Sequence, residues 1–148
     1  MSREHPDHDD AELVLKLYDL RREAVMRESR DAIGRQFWPV TYEDFVAVSK
    51  PDHPLNAAFR QTSSYWEMVY GIARNGIAHA DYLVENNGEG ILLYAKIEPF
   101  LKRFRDEFSP LAFRSAEWVT TETEAGRRLL ELFRGRLKTM KESLASKS

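Results

Sequence analysis

The strongest constraint on the fold lies in the middle of the chain. After Pro54 no proline occurs up to Asn86, and the apolar residues recur at helical spacing. On a wheel of about 100° per residue, Phe59, Trp66, Val69, Tyr70, Ile72, Ala73, Ile77, Ala80, Leu83 and Val84 fall within about 160° of arc. That arc predicts one long amphipathic helix over residues 54–86. PDHP (51–54) precedes it, and NNGEG (86–90) ends it with residues that tolerate left-handed backbone.

The flanking segments carry the same period. Residues 9–35 predict a helix with Leu13, Leu17, Leu20 and Ala24 on its stripe, widened by Val14 and Val25. Residues 42–49 predict a short helix capped by Thr41. Residues 90–108 predict another, with Pro99 inside it forcing a kink or restart. SPLAF (109–113) reads as a turn. Ser115 then caps a last helical region carrying Trp118, Ala125, Leu129, Leu132, Phe133, Leu137, Met140 and Leu144, with TTETE (120–124) as a point of interruption. No strand-like alternation runs longer than four residues. The expected fold is all-α: one helical-bundle domain over 1–148, an antiparallel bundle of four main helices plus one short helix, with residues 1–8 flexible.

Composition narrows the function classes. A chain of 148 residues with 43% hydrophobic and 31% charged residues can bury a core of its own. The absence of Cys excludes a disulfide scaffold, a thiol nucleophile and cysteine zinc sites. The polar start MSREHPDHDD has no apolar run of a signal peptide, and GILLYA (90–95) is far shorter than the roughly 20 residues of a membrane span. A cytoplasmic protein without a membrane partner is expected. The net charge of −2 hides an asymmetry: five acids against one Arg in residues 1–12, and seven basic residues against two acids in 127–148.

The candidates for chemistry are few. His5, His8 and His53 lie in polar segments and His79 in the long helix, and no Glu-x-x-His pair exists for a helical di-metal site. No metal and no cofactor is expected. Ser63 and Ser64 lack a nucleophile elbow, and GEG (88–90) is not a phosphate loop. Trp66, Tyr70, Tyr94 and Trp118 form an aromatic set whose ordinary role is core.

Two features of the long helix remain. Arg60, Glu67, Arg74 and Asp81 form a ladder of alternating charge at seven-residue steps, which predicts oppositely charged neighbours on an adjacent helix or a second copy. Across from the apolar arc, Gly71, Asn75, Ala78, His79 and Tyr82 make a small, polar side on which another backbone can approach closely. Glu67, Gly71, Ala78 and Tyr82 are the expected contact residues of a homo-oligomeric or partner-binding module without catalysis.

RNGIAH (74–79) resembles the Arg-Asn-x-x-x-His motif of the HEPN superfamily, all-α domains that include many metal-independent endoribonucleases. The resemblance covers these six residues and the helical architecture. It implies that His79 serves as general acid or base on RNA, that Arg74 holds the scissile phosphate, and that Asn75 orients the imidazole, in a cleft formed by two copies. In a straight helix Arg74 and His79 point about 140° apart. A shared site therefore requires a helix irregularity, a long Arg reach, or the second subunit. The stretches YAKIEPFLKRFRDEF and RSAEWV are also similar to small helical families of bacteria, which implies a bacterial origin and no function.

Overall fold

A computed structural model describes residues 4–146. Its regular elements among those residues are all helical: α1 (His8–Arg21), α2 (Ala24–Gln36), α3 (Tyr42–Val48), α4 (Asn56–Arg74), α5 (Ala80–Glu85), α6 (Glu89–Glu107), α7 (Arg114–Glu122) and α8 (Glu124–Ser146). The all-α expectation holds. The count of four main helices and a short one does not, because three of the expected long helical regions are each broken in two, the last at the interruption expected within residues 120–124.

The first break separates α1 from α2. Arg22 closes α1, and the Glu23 carboxylate accepts from the N–H groups of Val25 and Met26 to open α2. These two backbone bonds hold the Glu23 carboxyl below its ordinary pKa. The change of axis splits the expected stripe: Val14 and Leu17 are buried, while Leu20, Ala24 and Val25 are exposed. At the chain start, Asp7 and Asp10 form a capping box, so α1 begins at His8; residues 1–3 of the segment expected to be flexible lie outside the described residues.

The second break ends α4 at Arg74. Gly76 adopts φ +72°, its N–H bonds to Ala73 O and the Ile77 N–H reaches back to Ile72 O, both at 3.1 Å. This is a Schellman motif, with glycine at the left-handed position. The chain therefore leaves the helical wheel before Ile77, which is 69% exposed instead of lying on the apolar arc.

Other expectations fare better. Thr41 caps α3 in a capping box with Asp44. The restart offered for Pro99 does not occur, and α6 runs through it as one helix. Residues 109–113 form the turn before α7, and Thr123 interrupts α7 and α8. The cap of α7 is Phe113 in left-handed backbone, not Ser115, which is buried in the first turn.

α4 is the hub. It packs along α2 and α7, with α5 and α6 at its flanks, while α8 covers α5, α6 and α7. Phe59, Tyr65, Trp66, Val69, Tyr70 and Ala73 of α4 enter the core with Phe45, Val48, Leu83, Val84, Ile91 and Ile97. Trp66 stacks on Tyr70 at 5.7 Å between centroids, and the buried Tyr70 hydroxyl donates to Asn87 O at 2.7 Å. Tyr94 is buried as well, so these three rings are core, whereas Trp118 is half-buried on α7.

At the α7–α8 corner, Thr123 Oγ donates to Val119 O and accepts from Gly126 N. A Cβ on Gly126 would collide with the Val119 carbonyl and lie 2.6 Å from Thr123 Oγ. Gly126→Ala is expected to destabilise the fold by about 3 kcal/mol through overpacking. Gly135→Ala, where a Cβ meets nothing within 4 Å, is expected to stabilise it by about 0.5–1 kcal/mol through helix propensity. Urea unfolding of the two variants measures the contrast.

Candidate functional site

The acids of the ladder on α4 and α5 find helix starts, and its arginines neutral side chains, rather than opposite charges. Glu67 accepts from the N–H groups of Ser115 and Ala116 at 3.0 and 2.8 Å, at the first turn of α7. Asp81 accepts from Ala125 N at 2.9 Å, at the first turn of α8. Both carboxylates satisfy backbone donors that a helix start leaves open, and both meet the positive end of a helix dipole. Arg60 bonds to Asn56 Oδ1 at 3.0 Å, and Arg74 donates from Nε to Ser115 Oγ at 3.1 Å.

The expected contact residues are in part engaged within the chain. Gly71 faces Ser115 of α7, whose Oγ would lie 3.6 Å from an added Cβ. Ala78 is buried and Tyr82 half-buried. Glu67 is committed to α7 as described.

The RNGIAH residues sit on the Schellman turn and not inside a helix. Arg74 is the last residue of α4, Asn75 caps it, and His79 caps α5. The break turns Arg74 and His79 toward one cavity of about 510 Å³, which Asp81, Glu4, Trp118 and Glu122 also line. Asn75 takes a different role from the one the resemblance implies. Its amide donates to Gly71 O at 2.7 Å, closing the end of α4, and is not aimed at the imidazole.

What orients His79 is local. Nδ1 accepts from the N–H of Tyr82 at 3.1 Å, which fixes the neutral ring as the tautomer with its proton on Nε2. The backbone N–H of His79 donates to the buried Asp10 carboxylate at 3.0 Å, tying this turn to α1. Protonating Nδ1 would remove the cap from α5. Nothing in the RNGIAH string announces Asp10 as the partner, sixty-nine residues away.

A second polar feature lies at the other end of the molecule. Lys96 of α6 is 5% exposed; its Nζ donates to Ile33 O at the end of α2 at 3.3 Å and lies 3.8 Å from the centroid of the Trp38 ring. Burial pushes its pKa down to about 8, with Glu89 opposing weakly. The sequence carries no sign of this, because Lys96 interrupts an otherwise ordinary helical stripe.

Among the described residues no three His, Asp or Glu side chains gather as metal ligands. No helix of the described residues is long and apolar enough to cross a membrane. The model of a protein family described as a domain of unknown function, DUF4760, matches residues 7–123, from the cap of α1 to the start of α8. No curated protein and no solved structure matches the chain.

If His79 acts as a helix cap, His79→Asn keeps an acceptor at that position and is expected to hold stability within a few tenths of a kcal/mol, whereas His79→Ala loses about 1 kcal/mol. Thermal or urea unfolding of the pair checks this. Glu67→Ala leaves two α7 donors without their carboxylate and is expected to cost about 2–3 kcal/mol.

Proposed function

We propose that this chain, which belongs to the DUF4760 family, is a non-catalytic self-associating module whose C-terminal helix docks on a second copy. One observation carries the reading. Leu130, Phe133, Leu137, Met140 and Leu144 repeat along α8 at alternating steps of three and four, a coiled-coil seam. Leu130 and Phe133 are buried against the body and Leu137 is half-buried, yet Met140 is 37% and Leu144 61% exposed. The same seam is used for its first half and left open for its second. Beside it, Leu132, Thr139 and Ser143 extend the exposed face of α8.

A second exposed apolar face on the chain supports a second copy as the occupant. The open half of α8 carries Arg136, Lys138, Lys141 and Glu142. α1 offers Leu15 and Tyr18, 68% and 50% exposed, beside Glu12 and Asp19 and with the Arg21 and Arg22 guanidinium groups each 5.5 Å from the Tyr18 ring. An apolar helix face from one protomer matches an apolar face of mixed charge on the next. Sedimentation velocity on the full chain is expected to show a mass above the monomer at high micromolar concentration. Leu144→Lys and Leu15→Lys are each expected to weaken association about tenfold. A strict monomer overturns the reading, and association unchanged in both variants overturns the surface.

A second reading, the HEPN-like endoribonuclease of Arg74, Asn75 and His79, is favoured by the shared cavity of Arg74 and His79. Its electrostatics oppose a phosphate: Glu4, Asp81 and Glu122 line the same cavity, and Arg74 Nε is already bonded to Ser115. Incubation with RNA in EDTA separates the two. The module predicts no cleavage by wild type; the nuclease predicts cleavage that His79→Asn abolishes although that variant stays folded.

A further inference from the structure

We infer that the niche beside Lys96 binds a monocarboxylate with an apolar tail. Lys96 is almost fully buried, its ammonium has three N–H groups, and one of these goes to Ile33 O. The Trp38 ring offers its negative face on another side, at 3.8 Å. No carboxylate of the described residues pairs with Lys96; Glu89, farther along α6, is held by Arg30 at 2.6 Å. A buried ammonium without an anion is costly, and the protein meets that cost only in part, through the carbonyl end of α2 and the ring.

The walls select the anion. Trp38, Val40, Ala95, Leu137, Met140 and Leu144 are apolar, Lys141 stands at the rim, and no acid is present. The niche is about 60 Å³, room for a headgroup, from which a tail would run out past the exposed side chains of Val40 and Leu144. A carboxylate completes the ion pair and needs few donors. A phosphate needs several, and the niche supplies one buried amine. An apolar tail then covers surface that water now touches, which adds affinity in proportion to its length.

The groups facing the amine set the pH response. Ile33 O faces it from α2, Lys141 from α8, and Glu89 lies along α6. Deprotonation of Lys96 removes the charge that the carboxylate pairs with, so affinity falls as pH rises past the folded value. The niche is complete within one protomer and does not depend on the association reading.

Octanoate is the probe, titrated into the full chain by calorimetry and by Trp fluorescence, with octanol and inorganic phosphate as comparisons. Octanoate is expected to bind about tenfold or more tightly than octanol, and phosphate not at all. Affinity is expected to fall between about pH 7 and about pH 9.5. Lys96→Met is expected to abolish the preference for octanoate over octanol. Met140→Trp, which leaves the amine and the α2 contact in place, is expected to block the niche while the melting temperature holds. Equal binding of octanoate and octanol, binding that persists in Met140→Trp, or no heat at millimolar octanoate overturns the inference and leaves Lys96 as a cap of α2 alone.

Discussion

Helix starts buried against other helices must find acceptors, and this fold answers that demand with carboxylates from distant segments. A helix leaves its first N–H groups open, and burying them unpaired costs on the order of 1–3 kcal/mol each. Glu67 of α4 takes two such donors from α7, and Asp81 of α5 takes one from α8. Asp10 of α1 takes the N–H of His79 at the turn between α4 and α5. Each bond joins elements far apart in sequence, so the α4–α5 unit holds the first turns of α1, α7 and α8 against it. The core fills in behind these anchors, and the hydrophobic stripes alone do not set them.

This explains which parts of the fold are legible in the sequence. Capping chemistry local to a segment can be read: Thr41 with Asp44 opens α3, and the Asn-Gly pair at 75–76 followed by Ile77 carries the signature of a Schellman end. The Schellman end is masked because apolar residues continue at helical spacing on both sides of it, at Ala73 and Ala80, and a wheel drawn through them hides the break. The α1–α2 break has no Gly or Pro at all. Glu23 makes it by turning its carboxylate onto Val25 and Met26, which the stripe of Leu20, Ala24 and Val25 conceals. A ladder of alternating charge suggests partners of opposite charge, whereas Glu67 and Asp81 serve backbone donors that a sequence pattern does not display.

The same geometry bears on the RNGIAH string. Breaking the helix brings Arg74 and His79 to one cavity, which a straight helix could not do. Yet it also binds each residue into the scaffold, since Arg74 holds Ser115, Asn75 closes α4 and His79 opens α5. An imidazole whose Nδ1 already accepts a backbone N–H has only Nε2 left for chemistry. The three carboxylates around the cavity work against phosphate. Motif and packing thus draw on the same atoms, and packing accounts for all of the bonds that are formed.

The opposite end of the molecule shows the reverse condition, groups with unmet capacity. The seam of α8 runs on after its cover ends, and a buried ammonium on α6 lies beneath that overhang with a carbonyl and a ring but no anion. These two deficits share Met140 and Leu144, which line the niche and form the open half of the seam. A second copy laid along α8 would shield the mouth of the niche from water, and shielding raises the cost of an unpaired ammonium beneath it. Yet a tail running out past Leu144 lies on the surface that a second copy would bury, so a long-tailed occupant and coverage of α8 are expected to compete. Linkage makes the coupling reciprocal: a carboxylate whose tail weakens association must itself bind less tightly to the associated form.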